Sequence, residues 1–190
     1  MSEVVLYMSM SLDGFVASDR EHPGVAIADP EVKQWKLNQI SKAGAHLMGR
    51  VTYQEMSSYW PHSDDPYAAP MNDIDKIVFS TTLTDAEAGW PDTKVARGDL
   101  ATEIAAIKDQ SESDVIVWGG ASFAGALAAA DLIDEYRLSV QPLALGRGQA
   151  LFDQLPSSRH LDLVEATPYP SGIVVQVYRP KHQSDKEVTA

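Results

Sequence analysis

A chain of 190 residues with 44% apolar and 22% charged side chains can build one domain with a full core, and is short for two. A formal charge of −12, with no local Lys/Arg cluster to offset it, argues against nucleic acid or an anionic membrane as partner. The absence of cysteine excludes disulfides, thiolate nucleophiles and cysteine-based metal sites. No apolar run reaches the ~18–20 residues of a membrane span, and the N-terminus has no basic lead of the signal-peptide kind. The expectation is a cytoplasmic protein.

In chain order, residues 4–9 read as a buried strand closed by the turn-forming Leu12-Asp13-Gly14. Asp29-Pro30-Glu31 opens a helix, with an N-cap acid, a proline at the first helical position and a second acid in the first turn. Val32, Trp35, Ile40 and Ala43 fall on its apolar face. Residues 45–48 form a short strand leading through Gly49-Arg50 into a helix over 51–58. Residues 60–72 are rich in turn formers and read as a loop over the site. A strand follows at 75–80, then a helix capped by Asp99 with Leu100, Ile104 and Ile107 as its stripe. The strand at 114–118 runs through Gly119-Gly120 into an Ala-rich helix over 121–130. This alternation predicts a parallel sheet covered on both faces. Segments 135–141, 161–167 and 172–178 are strands with no helix between them, which adds a C-terminal antiparallel extension. One domain over residues 1–180 and a flexible tail over 181–190 are expected.

Ligands of open α/β sheets bind at the carboxyl ends of strands, and four such ends carry candidate chemistry. Trp118-Gly119-Gly120-Ala121-Ser122-Phe123 brings two glycines to a helix start, where free N–H groups suit a phosphate. Met48-Gly49-Arg50-Val51-Thr52 repeats that pattern and adds a guanidinium and a hydroxyl. Phe79-Ser80-Thr81-Thr82 places hydroxyls beyond a buried strand. Ser11-Leu12-Asp13-Gly14-Phe15 follows the first strand with an acid and a glycine. Each alone also fits a packing or capping role. The first three together fit an adenine dinucleotide carrying an extra 2′-phosphate. The usual Gly-x-Gly-x-x-Gly fingerprint is absent after the first strand, and Gly146-Arg147-Gly148 precedes a strand rather than a helix. The five histidines have no metal-ligand spacing, so no metal is expected.

These segments, in this order, resemble the dihydrofolate-reductase superfamily, and within it the reductase domain of the bacterial bifunctional riboflavin-biosynthesis deaminase-reductase. Ser11 to Ala17 resembles that group's first-strand motif, Gly49-Arg50-Val51-Thr52 the Gly-Arg-x-Thr of dihydrofolate reductases, and Trp118-Gly119-Gly120 their strand–Gly-Gly–helix element. Asp134 to Leu138, Pro142, Gly146-x-Gly148 and Leu151-Phe152 resemble the closing segment of the riboflavin-type reductases. The resemblance implies a three-layer α/β fold around a mixed, mostly parallel sheet of about eight strands, and a homodimer. It implies NADPH lying across the strand ends. Arg50, Ser80 and Thr81 would meet the 2′-phosphate; Gly49, Thr52 and the main chain of Gly119, Gly120, Ala121, Ser122 and Phe123 would take the pyrophosphate. The Gly119–Gly120 bond would be cis. Glu31, half-buried near Trp35, would supply the proton that follows hydride transfer, and Asp13 would anchor the substrate. Arg147 is the best single candidate for a substrate phosphate. The expected activity is NADPH-dependent reduction of a small heterocycle, that of 5-amino-6-(5-phosphoribosylamino)uracil in the riboflavin-type enzymes. The alternatives are dihydrofolate reduction and a non-catalytic nucleotide-binding or dimerisation module.

Overall fold

Val4–Ser11 (β1) buries its first five side chains, as a strand covered on both faces must. The computed structural model describes residues 2–17 and 28–181. After β1 come β2 (Phe15–Ala17), α1 (Pro30–Ile40), β3 (Ala45–Gly49), α2 (Arg50–Tyr59), α3 (Ala68–Asp73), β4 (Lys76–Phe79) and β5 (Thr93–Ala96). Then follow α4 (Leu100–Gln110), β6 (Val115–Trp118), α5 (Ala121–Ala129), β7 (Glu135–Gln141), β8 (Gln149–Ala150), β9 (Leu161–Pro168) and β10 (Val174–Pro180). Eight strands form one sheet in the order β5-β4-β3-β6-β1-β7-β10-β9. All neighbours are parallel except β10, which runs antiparallel to both β7 and β9. A small second sheet pairs β2 with β8.

Alternation along β1 divides the core. Val4, Leu6 and Met8 point with Leu47 and Val117 towards Ile104 and Ile107 of α4 and Ala124, Leu127 and Ala128 of α5. Val5 and Tyr7 point with Met48, Ile116 and Trp118 towards Ile40 of α1, Tyr53 of α2 and Met71 of α3. Helix, sheet and helix therefore make three layers. Among the described residues no helix is long and apolar enough to cross a membrane.

The helix starts fall into two kinds. Asp29 caps α1 by accepting from the N–H groups of Glu31 and Val32, and Asp99 caps α4 by accepting from that of Thr102. By contrast, α2 begins after Gly49 and α5 after Gly120, and neither has a side-chain cap.

Three local expectations are corrected. Residues 60–72 are not a loop: they form a 3₁₀ turn, Trp60–His62, and α3. Side chains of β3, β4 and the segment itself hold them: Lys76 Nζ donates to the Asn72 carbonyl, Asn72 Nδ2 donates to that of Trp60, and His46 Nε2 bonds Pro70 O. The Gly119–Gly120 bond is trans, since the described residues contain no cis peptide. The chain turns there through positive φ at both glycines, +23° and +75°. The third correction is at the C-terminus, where Lys181 is tied down: its N–H donates to His160 O and its Nζ pairs with Asp162. The rest of the expected tail, 182–190, lies outside the described residues.

Candidate functional site

The β3–α2 and β6–α5 junctions meet at adjacent strand ends. A Cβ added to Gly120 would lie 2.9 Å from Thr52 Oγ1, so the main chain after β6 rests against the first turn of α2. A Cβ on Gly49 would lie 3.1 Å from Phe123 Cβ. The Phe123 ring in turn packs on Phe79 at the end of β4, with centroids 4.9 Å apart. Gly49, Thr52, Gly119, Gly120, Phe123, Ser80 and Thr81 thus lie along three adjacent strand ends. The first-turn N–H groups of α2 and α5 supply donors and the positive end of two helix dipoles at this surface.

A cavity of about 370 Å³ opens beside it, lined by Ser80, Thr81, Arg97, Gly98 and the Phe79–Phe123 pair. Ser80 Oγ accepts from the N–H groups of Thr82 and Leu83, which shapes the turn after β4. Arg97 was missed in the sequence. It is held in place by bonds from Nη2 to Leu83 O (2.8 Å) and Asp85 Oδ1 (2.9 Å). Its signal was present: Val95-Ala96-Arg97-Gly98 before the Asp99 cap is another strand–glycine–helix junction. Arg50 is exposed at the first position of α2. Hydrogen bonds from Thr84, with a smaller contribution from the charge of Arg50, hold the Glu87 carboxyl below the usual carboxylate range.

Beneath the double glycine, Trp118 Nε1 donates to His46 Nδ1 at 3.0 Å. Nδ1 is therefore the acceptor, and Nε2–H faces the Pro70 carbonyl at 3.0 Å. His46 is fully buried, and desolvation lowers its pKa to about 4, so the ring is neutral at physiological pH.

A second cavity, of about 410 Å³, lies under α1 towards the carboxyl ends of β1 and β7. Ser9, Ser139 and Gln141 contribute from the sheet, Val32 and Lys36 from α1, and Tyr67 from the segment before α3. Its acidic residue is the N-cap Asp29, whose carboxyl is held low by hydrogen bonds from Ser171 and from the first turn of α1. Glu31 is exposed and is not part of the wall, which corrects the expectation of a half-buried acid. The cause is the cap itself, because Asp29 takes the inward position and turns the next residue but one to solvent.

Asp13 has a different environment from the one expected of a substrate anchor. Its carboxylate accepts from Ser11 Oγ (2.6 Å) and from the N–H groups of Leu145 (3.0 Å) and Gly146 (2.6 Å). These bonds bring its pKa down to about 2. It is a fixed anion tying the β1–β2 turn to the loop before β8, and it cannot donate a proton at neutral pH. Arg147 is exposed on that same loop. Among the described residues no cluster of metal-ligating side chains occurs.

The family model described as RibD C-terminal domain matches residues 2–175. The uncharacterised protein YyaP of Bacillus subtilis (strain 168) is 28% identical over 181 residues, 92% of this chain and 93% of that protein. Among solved structures, a putative riboflavin biosynthesis protein from Shewanella sp. PV-4 superposes with a TM-score of 0.73 at 24% identity, over 95% of this chain and 99% of that one. The diaminohydroxyphosphoribosylaminopyrimidine deaminase/5-amino-6-(5-phosphoribosylamino)uracil reductase of Thermotoga maritima gives 0.68 at 15% identity, over 95% of this chain and 57% of that longer protein. Dihydrofolate reductase from Enterococcus faecalis, in a complex with NADP(H), gives 0.65 at 15% identity over 95% and 97% of the two chains. The fold is that of the dihydrofolate-reductase superfamily.

Proposed function

Because the chain belongs to the RibD C-terminal domain family, we propose that it is an NADPH-dependent reductase of a small heterocyclic substrate, similar to the uracil reductase of riboflavin biosynthesis. The observation that carries this reading is the pair of glycine-started, uncapped helices, α2 and α5, brought together where Gly120 leaves no room for a side chain against Thr52. Such a cradle fits a pyrophosphate: main-chain donors converge, and no Cβ stands between them and the ligand. Thr52 and the N–H groups of residues 121–123 hold the pyrophosphate, while Arg50, Ser80 and Thr81 hold the 2′-phosphate. Arg97, fixed at the wall of the adjoining cavity, adds a second cation there.

Bound in this cradle, NADPH supplies a hydride to an unsaturated bond of the substrate. The substrate occupies the cavity under α1, with Val32 and Tyr67 limiting water and the sheet residues offering polar contacts. Glu31, exposed in the first turn of α1, relays a proton to the substrate through water. Asp13 acts by position, keeping the 145–146 loop in place.

Titration of the purified protein with NADPH and NADH, followed by tryptophan fluorescence, tests the reading. Micromolar binding with a clear NADPH preference is expected and justifies a turnover screen across pyrimidines, pterins and folates. Failure to bind either cofactor would sink it. Glu31→Gln should slow turnover while NADPH affinity stays unchanged; an unchanged rate removes Glu31 from proton transfer.

A further inference from the structure

Trp118 ends β6 immediately before the double glycine, and its indole is held from both neighbouring strands. Tyr7, its register partner on β1, stacks against it with centroids 6.1 Å apart. From β3, His46 presents a ring edge at 5.7 Å and accepts the indole Nε1–H on Nδ1. His46 pairs with Ile116, two residues before Trp118 and on the same face of the sheet. The other ring nitrogen serves a different element, since Nε2–H faces the carbonyl of Pro70 in α3. That helix follows directly on Tyr67, which walls the cavity under α1. One buried, neutral ring therefore spends its acceptor on the strand entering the cofactor cradle and its donor on the helix beside the second cavity.

Both attachments act on soft targets. Gly119 and Gly120 have no side chain to fix their turn, and glycine has the widest backbone freedom. Helix α3 has six residues, too few to stand by propensity alone. A hydrocarbon side chain in place of His46 would fill the space and serve neither target. A neutral imidazole or a carboxamide offers the acceptor and the donor together.

We propose that His46 is a positioning residue for hydride transfer: it fixes the Gly119–Gly120 turn against α3, and so fixes the cofactor cradle relative to the cavity under α1. The role rests on the reductase reading, since it concerns where that cofactor and substrate lie. His46 acts through Trp118 and Pro70 rather than by contact, being fully buried.

The test compares the wild-type chain with His46→Leu, which loses both bonds, and His46→Gln, whose amide can make both. Trp118→Phe removes only the indole donor. Val177→Ala truncates a buried residue of β10, three strands from β6, and serves as the control for lost stability. Each is measured for unfolding in urea, for amide hydrogen exchange, and for NADPH affinity under conditions where it is fully folded. Two amides report the clamp without any cofactor: Ala124 N–H, bonded to Gly120 O, and Met71 N–H, bonded to Tyr67 O. In His46→Leu both should exchange faster relative to the amides of β1, and NADPH should bind about five-fold or more weakly. Trp118→Phe should speed exchange at Ala124 and weaken NADPH by a similar factor. His46→Gln should return exchange and affinity to within about two-fold of the wild type, and Val177→Ala should leave NADPH affinity unchanged. Unchanged affinity in folded His46→Leu overturns the role, as does an equal loss in His46→Gln or Val177→Ala. If His46→Leu does not fold, Trp118→Phe decides in the same way. If exchange responds as stated while the wild type binds no NADPH, the clamp stands and the reductase reading falls.

Discussion

A methyl group added at Gly120 would meet Thr52 Oγ1 at 2.9 Å, on a backbone whose φ of +75° disfavours any side chain. Gly120→Ala should therefore destabilise the fold by roughly 1–3 kcal/mol and weaken NADPH, as read by urea unfolding and cofactor titration. Adding Thr52→Ala removes the contact and leaves the φ strain, so the double variant should recover only part of the stability. Arg50→Ala should weaken NADPH by about 1.5–3 kcal/mol, the range for a charge-assisted bond, and NADH far less. Equal weakening of both would take Arg50 off the 2′-phosphate. His46 gives the molecule a pH dependence of known sign. The folded state holds its pKa near 4, against 6.5 for the free side chain. Between these values the unfolded chain binds the extra proton, so stability falls as pH drops from about 6.5 to about 4, by on the order of 3 kcal/mol in total. His46→Gln can still accept from Trp118 and donate to Pro70. Its urea-unfolding free energy should be flatter across that window, with the acid-labile carboxylates contributing below it.

β9 forms the outer edge of the sheet, and Leu163 and Val164, at its bulge opposite Val177 and Tyr178, are 56% and 57% exposed. An edge strand with exposed apolar side chains offers another chain a surface to pair with, and we propose it as the contact of the homodimer that the family resemblance implies. Val164→Lys should then lower the mass seen by light scattering from dimer to monomer with the cofactor site intact; a monomeric wild type would remove β9 from that role. The same scale shows where sequence reasoning works and where it stops. Helices α1 and α4 were readable because Asp29 and Asp99 cap them locally. The three-strand ending was readable because no helical period interrupts it. β2, β5 and α3 were not. β2 and β5, of three and four residues, exist through pairing with β8 and β4, and α3 is held by His46 and Lys76 from other strands. The glycine junctions were legible for the same local reason as the caps. The cavity lining by Ser9 and Ser139 was not, because register between β1 and β7 brings together residues far apart in the chain.

At the scale of the whole molecule, cofactor and fold are linked by mass action. NADPH at a hundred times its Kd should add about 2.7 kcal/mol to stability. For a domain of this size that raises the Tm by roughly 5–10 °C, and an equal concentration of NADH should do less; identical melting curves for both would contradict 2′-phosphate recognition. The sheet order carries one more consequence. β1 is made long before its two neighbours in the sheet, β6 and β7. On a ribosome adding ~5–20 residues each second, the apolar segment Val4–Ser11 leaves the exit tunnel and waits on the order of 5–20 s for its partners to follow. During that interval it is a bare, β-prone hydrophobic stretch. Efficient production of this protein should therefore gain from shielding of β1 during translation, a demand that refolding of the finished chain does not make.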